Sequence, residues 1–186
     1  MKRVMTWLLA AATAGALATI FVYSGTFNVA ADVPHSALTS RLMEVVRDRS
    51  IAARVKDIEV PKLDDSQLIA EGAEHYAAMC ADCHLAPGVG RSDIRDGLYP
   101  APPNLTERIP VGDAEMFWVI KHGIKMSAMP AWGRTHDDPS IWGLVAFVRR
   151  LPELSSEQYQ ALVKATAKSH RHHNHDGHDH HGGSKP

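Results

Sequence analysis

Two thiols three positions apart, with an imidazole directly after them, constrain this chain more than any other stretch: Cys80-Ala81-Asp82-Cys83-His84. The spacing is that of a c-type haem attachment signature. Each thiol can add to one of two neighbouring vinyl groups, and the His on the same helical turn then lies under the iron as proximal ligand. Cys80 and Cys83 are the only cysteines in 186 residues, so no other use competes for them. A thioredoxin-like thiol pair would sit in a βαβ context, whereas the surrounding pattern is helical. A structural zinc site would need two more close ligands, and no further Cys exists. One covalent haem c is the cofactor expected, with His84 bound to its iron.

The amino end reads Met1-Lys2-Arg3 and then runs uncharged from Val4 to Tyr23. As a helix these residues would span about 30 Å, the thickness of bilayer hydrocarbon. Lys2 and Arg3 would hold that end in the cytoplasm and send the remainder outward. A cleaved signal peptide is the alternative, because Val29-Ala30-Ala31 is an acceptable cleavage site, but the apolar run is longer than such peptides use. Residues 1–31 are therefore predicted to be a single-pass inner-membrane anchor and connector, with the bulk of the chain in the periplasm. After cleavage it would instead be soluble there. An oxidising compartment agrees with thiols committed to haem.

Residues 32–61 read as an amphipathic stem helix and linker. Leu38, Leu42, Val45, Val46, Ala52, Ala53 and Val55 recur near helical spacing between about Ser36 and Lys56, and over residues 32–59 five acidic side chains balance five basic ones. Such a stripe usually faces a core, so the helix is expected to dock on its own domain. Lying on the membrane surface or contacting a partner are the other two uses open to it. Pro61 interrupts the pattern.

Residues 62–167 read as the main domain. Asp64 or Asp65 can cap a helix carrying Leu68, Ile69, Gly72 and Tyr76 that ends at Cys80. Asp137 or Asp138, with Pro139 in the first turn, can cap another carrying Ile141, Trp142, Val145, Ala146 and Val148. An interior Gly costs about 1 kcal/mol of helix propensity, so Gly72 predicts a close crossing between these two helices. A third helix is expected over 113–122, stopping at Gly123, and a last one over 156–167. Residues 85–105, rich in Pro and Gly, are expected to be loop. The domain is slightly acidic and the whole chain carries a net charge of −1, which argues against a nucleic-acid partner.

A sixth ligand to the iron would come from further along, and Met126, Met129, His122 and His136 are the candidates. Met129 precedes Pro130, which favours the extended backbone of a ligand loop, and Met126 is its main rival. Phe117, Trp118, Val119, Ile120, Trp132 and Trp142 can form an apolar wall, although core packing explains each of them equally well. Tyr99, Arg91, Arg95 and Trp132 are candidates for haem propionates. Residues 168–186 form a His-rich tail with no means of making a core, predicted to be disordered. His170, His172, His173, His175, His178, His180 and His181 are a candidate secondary site for Cu, Zn or Ni.

From about residue 65 to 151 the chain resembles the class I cytochrome c domain. CxxCH follows a helix with Gly72 and Tyr76 one turn apart. Pro103-Asn104-Leu105 is similar to the family's Pro-x-Leu segment, and Met129-Pro130-Ala131-Trp132 to its distal Met loop, before a carboxyl-terminal helix. The resemblance covers nearly half of the chain. It implies an all-α cytochrome c fold of about three to five helices around a covalently bound haem, preceded here by the transmembrane and amphipathic helices. It also implies that Met129 is the distal ligand, and that the Pro103 carbonyl accepts a hydrogen bond from His84 Nδ1, orienting the ring. The anchor, stem and tail lie outside it and resemble the additions on membrane-anchored bacterial monohaem cytochromes.

His/Met ligation leaves no open position at iron and favours the ferrous state relative to two imidazoles. The function expected is that of an electron carrier, not an enzyme, passing single electrons between a redox donor and acceptor at the outer face of the inner membrane. An electron-transfer subunit of a larger oxidoreductase is the alternative. A haem enzyme or sensor needs an open sixth site and is disfavoured.

Overall fold

A computed structural model describes residues 2–173, with side chains through residue 165, and the regular elements among them are all helical. The chain divides into two units, Met1–His35 and Ser36–Pro186. The first is built on α1, Lys2–Tyr23, which buries none of its residues within the protein. Its three threonines hide their hydroxyls: Thr6, Thr13 and Thr19 donate to the carbonyls of Lys2, Leu9 and Gly15 at 2.9–3.0 Å. Satisfying hydroxyls within the helix is what a hydrocarbon surrounding demands. By length and composition α1 can cross a membrane.

The second unit opens with α2, Ala37–Arg54, capped by Ser36, whose hydroxyl accepts from Thr39 N–H at 3.2 Å. Its apolar stripe does not dock on the domain. Leu38, Leu42, Val45 and Val46 are exposed, at 80, 61, 42 and 60 %. Contact with the rest of the unit comes from the opposite side: Ile51 is buried, and Ser40, Met43 and Ser50 are half-buried. That face packs against α6, Asp113–His122.

The centre of the unit is a crossing of two helices. Asp65 starts α3, Ser66–Met79, by accepting from Gln67 and Leu68 N–H at 2.7 and 3.1 Å. Asp137 starts α7, Asp138–Val148, by accepting from Ser140 N–H at 3.0 Å, with Pro139 in the first turn. A Cβ added at Gly72 would collide with the Gly143 carbonyl, and one at Gly143 would press on the Leu68 carbonyl at 3.1 Å. The crossing expected at Gly72 is present, and it needs a second glycine.

Around it Ile69, Ala73, Tyr76, Ile141, Leu144, Val145, Phe147 and Val148 form the core. Each large apolar side chain buried there contributes about 1.5–3 kcal/mol. From α6, Phe117 stacks on Trp142 with centroids 4.1 Å apart. The last helix, α8, Ser156–His173, packs on α3 and brings Tyr159 within 6.2 Å of Phe147. It begins at a reciprocal cap, with Gln158 N–H donating to Ser155 Oγ and Ser155 N–H donating to Gln158 Oε1. It continues six residues beyond the end at 167 that the sequence predicts.

Between α3 and α6 lie α4, Ala81–His84, and α5, Asp93–Asp96. The latter stands in a stretch expected to be loop. Two further 3-10 turns, Trp132–Arg134 and Leu151–Glu153, flank α7.

Candidate haem-binding site

Cys80 closes α3, its N–H donating to the Tyr76 carbonyl at 2.9 Å. The Cys80 carbonyl then accepts from Cys83 and His84 N–H at 3.1 and 2.8 Å, and this single turn gathers both thiols and the imidazole. Leu85 ends it with a positive φ of 66°. Such a backbone is unfavourable for Leu, and its surroundings hold it there. Leu85 is 4 % exposed, and its carbonyl accepts from the buried Tyr76 hydroxyl at 2.6 Å. Burial raises the pKa of that hydroxyl, so it remains a donor at any ordinary pH.

Both cysteines are free and half-buried. Burial, with a smaller contribution from Cys83, pushes the Cys80 thiol up to about 12. Thiols that act by redox exchange have their pKa lowered instead.

His84 is held twice by one segment. Its carbonyl accepts from Leu105 N–H at 3.3 Å, and its Nδ1 lies 3.0 Å from the Pro103 carbonyl. A carbonyl can only accept, so Nδ1 carries the proton and Nε2 keeps its lone pair. Burial lowers the His84 pKa, and the nearby Arg95 charge lowers it further, while the Pro103 hydrogen bond acts the other way. The ring is thus neutral near pH 7, oriented, and free at Nε2 to bind a metal.

The loop with Met126 and Met129 follows α6 in the chain. Gly123 stops α6 at φ 65°, and a Cβ there would lie 2.7 Å from the Met129 carbonyl. Only glycine lets these backbones approach. The loop folds back as Ile124 N–H donates to the Met129 carbonyl at 3.2 Å and Met129 N–H to Ser127 Oγ at 3.2 Å. Met126 points to solvent, 80 % exposed. Met129 packs on the core, as do Cys80, Ala81, Leu105 and Trp132. Of the histidines considered for this side, His122 is exposed beside Trp118, and His136 bonds Thr135 Oγ1 through Nδ1 at 2.9 Å.

Arg95 donates from Nη2 to the Pro102 carbonyl at 2.9 Å, while its Nε is buried with no hydrogen-bond partner. An unsatisfied buried guanidinium nitrogen is costly and calls for an acceptor. A propionate carboxylate would supply one beside the Pro102–Pro103 segment that holds His84, so the residues present fit a haem. Arg91 is instead exposed and paired with Asp96 at 2.7 Å. Trp132 is half-buried against the core, and Tyr99 is half-buried too.

Of the apolar wall, Phe117 and Ile120 are core residues, whereas Trp118, Val119, Trp132 and Trp142 are half-buried. In the tail, His170, His172 and His173 fall on the backbone of α8, and their side chains are not described. His175, His178, His180 and His181 lie outside the described residues.

Residues 67–148 match the family whose model is described as cytochrome C oxidase, cbb3-type, subunit III. No curated protein matches the chain.

Proposed function

Because residues 67–148 form a c-type cytochrome domain, we propose that the chain is a monohaem carrier of single electrons. The observation that carries this reading is the 3.0 Å contact from His84 Nδ1 to the Pro103 carbonyl, which leaves Nε2 ready to bind iron. Cys80 and Cys83 would hold the haem as thioethers. Met129 would be the sixth ligand, supported by its packing on the same core as Cys80 and Leu105 while Met126 faces water. Arg95 would neutralise a propionate. When bound, haem c supplies a one-electron iron couple. The chain's own part would be to fix His84, offer Met129 as the second protein ligand and surround both with apolar side chains, which favours electron transfer over chemistry on a substrate.

In this reading α1 anchors the chain in the inner membrane and the haem domain works in the periplasm, between a redox donor and an acceptor. The family's description as an oxidase subunit favours a second reading, in which the same domain serves a larger membrane complex. A stable partner co-eluting in mild detergent would select that second reading. The His-rich tail would be a collector of Cu(II), Zn(II) or Ni(II). Deleting residues 169–183 should then abolish copper retention, and equal retention by the shortened chain overturns it.

An optical spectrum tests the central claim. The reduced protein should show a c-type α-band, and the oxidised one a weak near-infrared Met-to-iron band, with no carbon monoxide binding. Rapid carbon monoxide binding at neutral pH would overturn the carrier reading. Met129→His should keep covalent haem and lower the potential; if only Met126→His does so, Met126 is the ligand.

A further inference from the structure

The outward stripe of α2 is an apolar surface on an otherwise polar helix. Leu38, Leu42, Val45 and Val46 fall at i, i+4, i+7 and i+8, one face of a helix, and all four are exposed. Isolated exposed apolar residues are ordinary, but a contiguous stripe marks a contact surface. The helix does not need this stripe for its own docking, which uses Ile51, Met43 and Ser40 on the opposite side. Two arginines belong to the outward side. Arg49 lies one turn beyond Val45 and Val46 and has no ion pair among the described residues, and Arg41 is exposed at the edge with Glu44 3.4 Å away. Aliphatic side chains interleaved with arginines suit a lipid surface, where stems lie among acyl chains and guanidinium groups reach phosphates.

The rest of the chain favours the same occupant. Residues 24–36 hold the stripe within about 45 Å of whatever holds α1. Phe27, Val29 and Val33 in this connector are exposed as well. Once α1 is in a bilayer, the stripe meets lipid at high effective concentration, so even a shallow insertion is favoured. We infer that α2 lies in the membrane interface through Leu38, Leu42, Val45 and Val46, with Arg41 and Arg49 on anionic headgroups, and docks the haem domain through its other face. The inference rests on the reading of α1 as a retained anchor. It turns the stem from a spacer into a platform that limits how the domain is presented to its redox partners.

The test uses the full chain, loaded with haem, in vesicles of phosphatidylcholine with phosphatidylglycerol. Both native thiols are then consumed, so Leu42→Cys carries the only free thiol for a nitroxide label, and Asp48→Cys, exposed and off both the stripe and the docking face, serves as control. The expected result is a several-fold higher ratio of oxygen to nickel-chelate collisions at position 42 than at 48. Equal ratios overturn the inference, because the stripe is then in water. Label-to-label broadening at position 42 that disappears on dilution with unlabelled chain also overturns it, in favour of a second copy on the stripe. The amino-terminal residue of the chain in native membranes tests the anchor separately: a start after Ala31 removes the anchor reading without altering the vesicle result.

Discussion

The turn that carries His84 and the loop that carries Met129 are held by different means. On the first side, Tyr76 pins the Leu85 carbonyl from inside the core, and Pro103 and Leu105 hold the ring and backbone of His84. On the second, Met129 depends on Ser127, Ile124 and the absence of a side chain at Gly123, while Lys125, Met126, Ala128 and Pro130 around it are exposed. Both sides pack on the core, but only the first is tied to it by a hydrogen bond from a fully buried side chain. The loop should therefore yield first under stress, since segments with few buried contacts open at lower free energy.

Five outcomes would break or sharpen that contrast. The largest effect is expected from Cys80→Ala with Cys83→Ala, which should leave no covalent haem on a denaturing gel. Next, Gly72→Val should cost about 3 kcal/mol in urea unfolding, because its side chain meets the Gly143 backbone and not a side chain that can turn away. Tyr76→Phe should cost about 1–3 kcal/mol, the penalty for leaving a buried carbonyl unpaired, with the near-infrared Met band retained. Gly123→Ala should do the opposite. A strain of about 1–2 kcal/mol at positive φ would fall on the Met129 loop, so the band should weaken while covalent haem and most of the stability remain.

The smallest effect concerns Asp137, whose pKa is lowered by hydrogen bonds from Ser140. A carboxylate with a depressed folded pKa stabilises above its unfolded value, and loses that contribution as pH falls through the folded one. Asp137→Ala should therefore lower Tm slightly at about pH 6, and the difference should shrink towards about pH 3.

Much of this was legible as spacing. CxxCH, the Asp65 and Asp137 caps, the stop at Gly123 and the isolated Gly72 each have a local reason that survives folding. Gly143 carries no such signal, because among apolar positions a glycine reads as a gap. Nor could the pattern in α2 reveal which side docks: periodicity defines a face, but its occupant depends on where Met43 and Ile51 find a partner. The isolated Nε of Arg95 exists only once the Pro102 carbonyl is beside it. The length of α8 is hidden in the sequence because a His-rich composition signals polarity, not backbone conformation.

The contact between Gly72 and Gly143 also sets an order in time. These residues are separated by about seventy positions of sequence, so the contact closes late and carries the entropy of a long loop. Until α7 has seated itself, the helix that ends in Cys80 lacks its main packing partner. The two glycines are a clasp between distant parts of the sequence, and no stretch of chain that stops short of α7 can close it.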